Sequence, residues 1–284
     1  MSKIALVTDS TTYMPPELVG KYNLSVAPQV LIWGDQTYKD GVDITSSEFF
    51  TRLKTAKVMP STSQVAVVSF QEIFEDLVNR GNEVLALLVS SKLSGTIQSA
   101  MQAKELMGAA GDKVHVVDSQ SVAMALGFQV LAVARALEGG ASLKDAIGLA
   151  EKSPEYTGVV FAVDTLEFLH RGGRIGTAQR FLGTMLNMKP ILAIQDGRVE
   201  GVDRIRTKGK AHDRVLELVT EKIAGRTPVR LATLHANAAE DAKALLSRAE
   251  QALKPVESIF TEVSPTVGTH AGPGTVGLAF MAGM

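Results

Sequence analysis

The 284-residue sequence contains no cysteine, one tryptophan and only 5% aromatic residues. Without cysteine there can be no disulfide, thiolate metal site or cysteine nucleophile, a composition compatible with a reducing cytoplasm. With few aromatics, the interior must be built mainly from Ala, Val, Leu, Ile and Met. Long apolar runs are also missing. The most apolar stretch, residues 122–134, is interrupted by Gln129 and stopped by Arg135, short of the roughly 18–20 residues of a membrane span. The opening MSKIALVTDS has neither the apolar core nor the small-residue cleavage site of a signal peptide. A soluble cytoplasmic protein is therefore expected, with membrane contact no more than transient. Charge is balanced, 29 Lys and Arg against 30 Asp and Glu, so nothing attracts the chain as a whole to nucleic acid, and no such partner is expected.

What is present is a 45% hydrophobic chain, long enough to bury a large core in one large domain or two. The first half alternates short apolar runs with amphipathic ones. Strands are expected at 3–10, 25–33, 83–90 and 113–119, with Pro28 marking an edge or irregularity in the second. Helices are expected at 46–56, 69–79, 94–107 and 122–137, the second opening on a Ser69/Glu72 capping box. Strands separated by helices imply parallel crossovers. After a strand at 158–165 the pattern changes. Two strands flank the hairpin dipeptide Asp196-Gly197; helices at 208–223 and 240–253 then alternate with strands at 229–236 and 256–263. The expected fold is α/β: a Rossmann-like parallel-sheet domain over residues 1–165 and a second, α+β-like domain over 166–284.

Four stretches carry candidate chemistry. SSKLSGT (90–96) follows a strand and opens a helix, where free N–H groups and the helix dipole favour an anion; Ser94 could equally serve only as a helix cap. It has neither the P-loop nor the dinucleotide glycine pattern, and it lacks the first glycine of a nucleophile elbow. PSTSQ (60–64) is a hydroxyl-rich loop of the kind that usually makes local turns. Its neutral hydroxyls could also donate to a carboxylate without stranding a buried cation when the site is empty. HRGGRI (170–175) is either a solvated basic turn or an anion-facing loop. VGTHAGPGTVG (267–277) sets His270 among four glycines; Pro273 removes an N–H that a phosphate nest would need, while the glycines permit close chain approach. The five histidines show no metal-ligand spacing.

Together LVTDST, PSTSQ, SSKLSGT, VVDSQSVAMALG, HRGGRI and GTHAGPGTVG, in this order over essentially the whole chain, resemble the DegV family of bacterial fatty-acid-binding proteins. The resemblance implies two α/β domains with one long-chain fatty acid between them and no other cofactor. It implies that Thr62 and Ser94 donate to the carboxylate, that His270 joins their network, that Ser63 and Gly95 shape the pocket, and that Arg174 lies near its mouth where a partner docks. It further implies a non-catalytic carrier whose partner, the ATP-binding subunit of a fatty acid kinase, phosphorylates the bound carboxylate to an acyl phosphate. Residues 181–194 and 122–131 are candidate walls for the tail. Two other readings stay open: a serine acyl hydrolase using Ser94 and His270, and a nucleotide- or sugar-phosphate-binding module.

Overall fold

The computed structural model describes residues 3–183 and 188–284. Strand β1 (Lys3–Asp9) runs into a 3-10 turn (Ser10–Thr12), helix α1 (Pro16–Lys21) and strands β2 (Ser25–Ala27), β3 (Val30–Trp33) and β4 (Gln36–Lys39). Helix α2 (Ser46–Leu53) is followed by β5 (Ser61–Ser63), α3 (Val67–Asn79), β6 (Asn82–Leu88), α4 (Thr96–Leu106), β7 (Val114–Asp118), α5 (Ala123–Glu138) and α6 (Leu143–Lys152). The chain continues through β8 (Thr157–Ala162), α7 (Glu167–Arg171), β9 (Lys189–Gln195), β10 (Arg198–Ile205), α8 (Lys208–Ile223) and β11 (Val229–His235). It then forms α9 (Ala239–Leu253), β12 (Glu257–Ile259), α10 (Pro265–Ala271) and β13 (Val276–Ala282).

These strands make a four-stranded parallel sheet, β2-β1-β6-β7, and a six-stranded sheet, β10-β9-β8-β13-β11-β12. A small antiparallel sheet, β4-β3-β5, completes the set. In the six-stranded sheet β11–β12 is parallel and the other pairs are antiparallel. The fold is thus mixed α/β with a parallel first sheet, as the strand–helix alternation predicts. Sheet membership changes between β7 and β8, so β8, which falls within residues 1–165, is a strand of the second sheet.

Side-chain alternation explains why the layers stack as they do. Successive strand residues face opposite sides. On β6, Val84, Ala86 and Leu88 pack with residues of α3 and α4, while Leu85 and Leu87 pack with residues of α5. On β13, Val276, Leu278, Phe280 and Ala282 face α8 and α9, whereas Ala279 and Met281 face the α5 side. Helix α5, buried along nearly its whole length, is therefore the layer shared by both sheets. A helix apolar on all faces suits only such a position.

Four local expectations are corrected. The stretch 25–33 is two strands in two sheets, broken at Pro28, which has no N–H to continue a ladder. Helix α3 begins at Val67 with Ala66 as its cap and no side-chain capping bond, so Ser69 lies inside the first turn. The capping boxes are instead Thr45/Glu48 and Ser142/Asp145. PSTSQ is not a loop: Ser61–Ser63 pair with β3, Thr62 opposite Leu31. His270 is not in a glycine loop but on α10, which is capped by Ser264 and has Pro265 in its first turn.

Candidate functional site

Helix α10 is held at its start by the turns after β1 and β4 and by the first residue of α2. Asp40 accepts from the Thr266 N–H (3.0 Å) and from Ser10 Oγ (2.6 Å), and Ser46 Oγ donates to Val263 O. One turn later, about 6 Å along the axis, His270 meets β5: its Nε2 lies 2.7 Å from Thr62 Oγ1. The other ring nitrogen, Nδ1, is buried with no hydrogen-bond partner. It packs against Gly172, where a Cβ would lie 2.1 Å from it. A buried N–H without a partner costs more than a bare acceptor, so the proton belongs on Nε2, donating to Thr62 Oγ1. That leaves the Thr62 hydroxyl hydrogen free for a ligand. The contact is reciprocal: Gly272, at φ 77°, accommodates the ring of Phe168 from α7. The two glycine motifs interlock, each making room for the other's ring.

Ser94 stands at the end of the loop after β6. Its N–H donates to Ser90 O, and its Oγ accepts from the Thr96 N–H (3.3 Å) and lies 2.8 Å from Thr96 Oγ1. Thr96 Oγ1 is bonded to the Gln29 amide, whose Nε2 also donates to the buried Asp9 carboxylate. Asp9 takes further bonds from the Val89 and Thr11 N–H groups, and burial pushes its carboxyl above the usual range. Thr96 Oγ1 has one hydrogen to place on Gln29 Oε1 or on Ser94 Oγ; in the second arrangement the serine accepts twice and its own hydrogen is free. Arg174 donates from Nε to Leu93 O (2.9 Å) and from Nη1 to Gly172 O (2.7 Å). Those partners are neutral carbonyls, so its charge biases the region toward anions.

Burial, together with the positive charge of Arg174, lowers the His270 imidazole to about 4. His270 is therefore expected to stay neutral down to about pH 5, checked by following its ring resonances through a titration. An unfolded histidine takes up its proton near about 6.5, so stability falls as the pH drops from there to about 4. The His270 share reaches roughly 3 kcal/mol. Burial also raises the Asp9 and Asp40 carboxyls, which act in the opposite sense, so that share is read as the difference between wild type and His270→Gln.

These groups border one cavity of about 800 Å³ in the layer between the two large sheets. Five of the residues expected from sequence, Thr62, Ser63, Ser94, Arg174 and His270, lie on its wall. Gly95 does not. It caps α4 with its Cα against the Gln64 side chain, where a Cβ would stand 3.2 Å from Gln64 Cδ. The remaining wall is largely apolar, with Val89, Val159, Phe161, Val199 and Leu234 among its members. Of the expected tail walls, Val122, Ala123 and Ile194 line the cavity; residues 184–187 of the 181–194 wall lie outside the described residues. Thr11, Tyr13 and Gln29 also line it and were missed; the polar TDST run at the end of β1 signals Thr11 alone. Thr62, Arg174 and His270 also face an adjoining recess of about 540 Å³, bounded by Met59, Pro60, Arg171 and Gly172.

The pairing needed by a serine hydrolase is not the one found. His270 Nε2 is engaged by Thr62, and Nδ1, where a triad carboxylate would sit, faces Gly172. Among the described residues there is no cluster of His, Cys, Asp and Glu able to hold a metal ion, and no helix is long and apolar enough to cross a membrane.

Residues 3–283 match the family described as uncharacterised protein, DegV family. The chain belongs to the DegV family. A DegV domain-containing protein of Halalkalibacterium halodurans is 34% identical over 281 residues, 99% of each chain. Among solved structures, a DegV-family protein of Thermus thermophilus described for its fatty acid binding superposes with a TM-score of 0.92 at 35% identity, covering 99% of both chains. DegV of Bacillus subtilis, described as a fatty acid binding protein, gives 0.89 at 30% identity, covering 99% of this chain and all (100%) of that one. The DegV fold seen here thus has solved relatives that hold the ligand class suggested by the cavity.

Proposed function

We propose that this DegV-family protein binds one long-chain fatty acid in the inter-sheet cavity, with the carboxylate at Thr62, Ser94 and His270. The observation that carries the reading is the division of the cavity wall: apolar along most of its length, with neutral donors gathered beside Arg174. A tail of roughly 15 carbons gains on the order of 12 kcal/mol from burial before association costs. The tail supplies affinity and the hydroxyls fix the head. Ser63 and Gly95, the latter through Gln64, shape this polar end.

The carboxylate would then lie beside the recess that Thr62, Arg174 and His270 share with Met59 and Arg171. We place the docking of a separate ATP-using kinase subunit there, with Arg174 at the mouth. A carboxylate oxygen attacks the γ-phosphate, the bond to ADP breaks and an acyl phosphate forms. In this reading the chain is a cytoplasmic carrier with no catalysis and no cofactor of its own, the fatty acid being its only ligand.

Recombinant protein is expected to carry a stoichiometric acyl chain on organic extraction and mass spectrometry, or to take one up when delipidated. Protein that neither contains nor takes up an acyl chain would refute the reading. Thr62→Ala and Ser94→Ala should each weaken fatty-acid binding about tenfold or more, because each removes one head contact of about 1.5–3 kcal/mol, and should lower acyl-phosphate formation with the kinase further still, because the head is no longer held for attack. Equal losses of both would remove the head-anchoring role.

A further inference from the structure

We infer that Ile194 is the end wall of the cavity and sets the longest acyl chain it accepts; this rests on the fatty-acid reading above. Ile194 is the centre of a row crossing three strands, with Val159 of β8 and Val199 of β10 as its Cα partners. All three line the cavity. Ile194 also borders a separate recess of about 710 Å³.

The partition between the two spaces is one residue thick. Val122 lines the cavity and its neighbour Ser121 the recess; Val159 lines the cavity and its neighbour Gly158 the recess. Ile194 faces both. Val122, Val159 and the Ile194 sec-butyl group form the barrier. The chemistry changes across it. The recess carries Glu151, Glu155 and Asp196, a lining that a terminal methyl gains nothing by meeting.

This is the tail end rather than the head end. The head residues Thr62, Arg174 and His270 border the other recess, which has no lining residue in common with this one. The cavity thus meets the head-end recess at its hydrogen-bond donors and this recess at Ile194.

The test is a chain-length profile. Delipidated wild type, Ile194→Ala, Ile194→Val and Ile194→Phe are titrated with laurate, palmitate, stearate, arachidate and behenate, and circular dichroism confirms the fold of each. Ile194→Ala should move the preferred chain to a longer acid, gaining up to about fourfold in affinity for each added methylene that stays covered. Ile194→Phe should move it to a shorter one. Ile194→Val, which keeps the β-branched strand residue and removes one carbon, should fall between wild type and Ile194→Ala. A wild type that binds these acids while all three variants keep its profile would overturn the assignment of Ile194 and leave the fatty-acid reading standing. A wild type that binds none of them would overturn the fatty-acid reading itself.

Discussion

Gly172→Ala is expected to weaken fatty-acid binding at least about tenfold while leaving most of the fold in place. Gly172 has a negative φ, so its requirement is steric: a Cβ would stand 2.1 Å from His270 Nδ1 and 2.8 Å from Cε1. The ring must swing out, since the Gly172 backbone is held by its N–H bond to Phe168 O and by its carbonyl bond from Arg174. Displacing the ring breaks the Thr62 contact and frees the threonine from its single set orientation. Loss of one oriented donor to a carboxylate corresponds to about 1.5–3 kcal/mol, hence at least about tenfold. The measurements are a fatty-acid titration and the His270 ring resonances. Unchanged affinity with an unshifted ring would show that the turn yields and the interlock is dispensable.

Gly277→Ala should destabilise the protein by about 3 kcal/mol or more and lower the melting temperature by roughly 6–12 °C. Gly277 sits in the centre of the six-stranded sheet, opposite Phe161 on β8 and Leu234 on β11. A Cβ would fall 2.4 Å from Phe161 Cβ and 2.5 Å from Val160 O. Two of the three atoms it meets are backbone, so no rotamer change relieves the clash, and the strand must shift. Phe161 and Leu234 both line the cavity, so ligand affinity should fall with stability. Gly148→Ala on helix α6, where nothing lies within 4 Å, is the contrasting case and should stabilise by about 0.5–1 kcal/mol. A thermal melt of each variant decides the matter; equal melting temperatures would show that the sheet adapts.

Elements whose period matched their burial were legible in the sequence. Helix α8 falls at Lys208–Ile223 as its spacing predicts, and Asp196-Gly197 forms the hairpin turn with φ of 46° and 75°. Elements of three or four residues, such as β4 and β5, were not legible, because runs so short have no period to read. The Ser142/Asp145 capping box marks α6, while the same pattern at Ser69 marks no cap, because that helix already starts at Val67. Thr62, Ser94 and His270 were visible as residue types able to hold a carboxylate. Their assembly was not, because Gly172 and His270 meet across about a hundred residues of chain, and only coordinates show one fitting the other. Gln29 had no signal at all: a lone glutamine beside a proline reads as surface, yet it links Asp9 to Thr96.

Strand β13 pairs with β8 on one side and β11 on the other, and this has a consequence for how the chain is made. Until Val276–Ala282 has been synthesised, β8-β9-β10 and β11-β12 are separate ribbons, each presenting an open edge to other chains. Helix α10, with its histidine, immediately precedes that strand. The last strand to arrive thus joins the two ribbons and sets His270 in place in one step. Until it arrives, the two open edges leave the chain prone to aggregate.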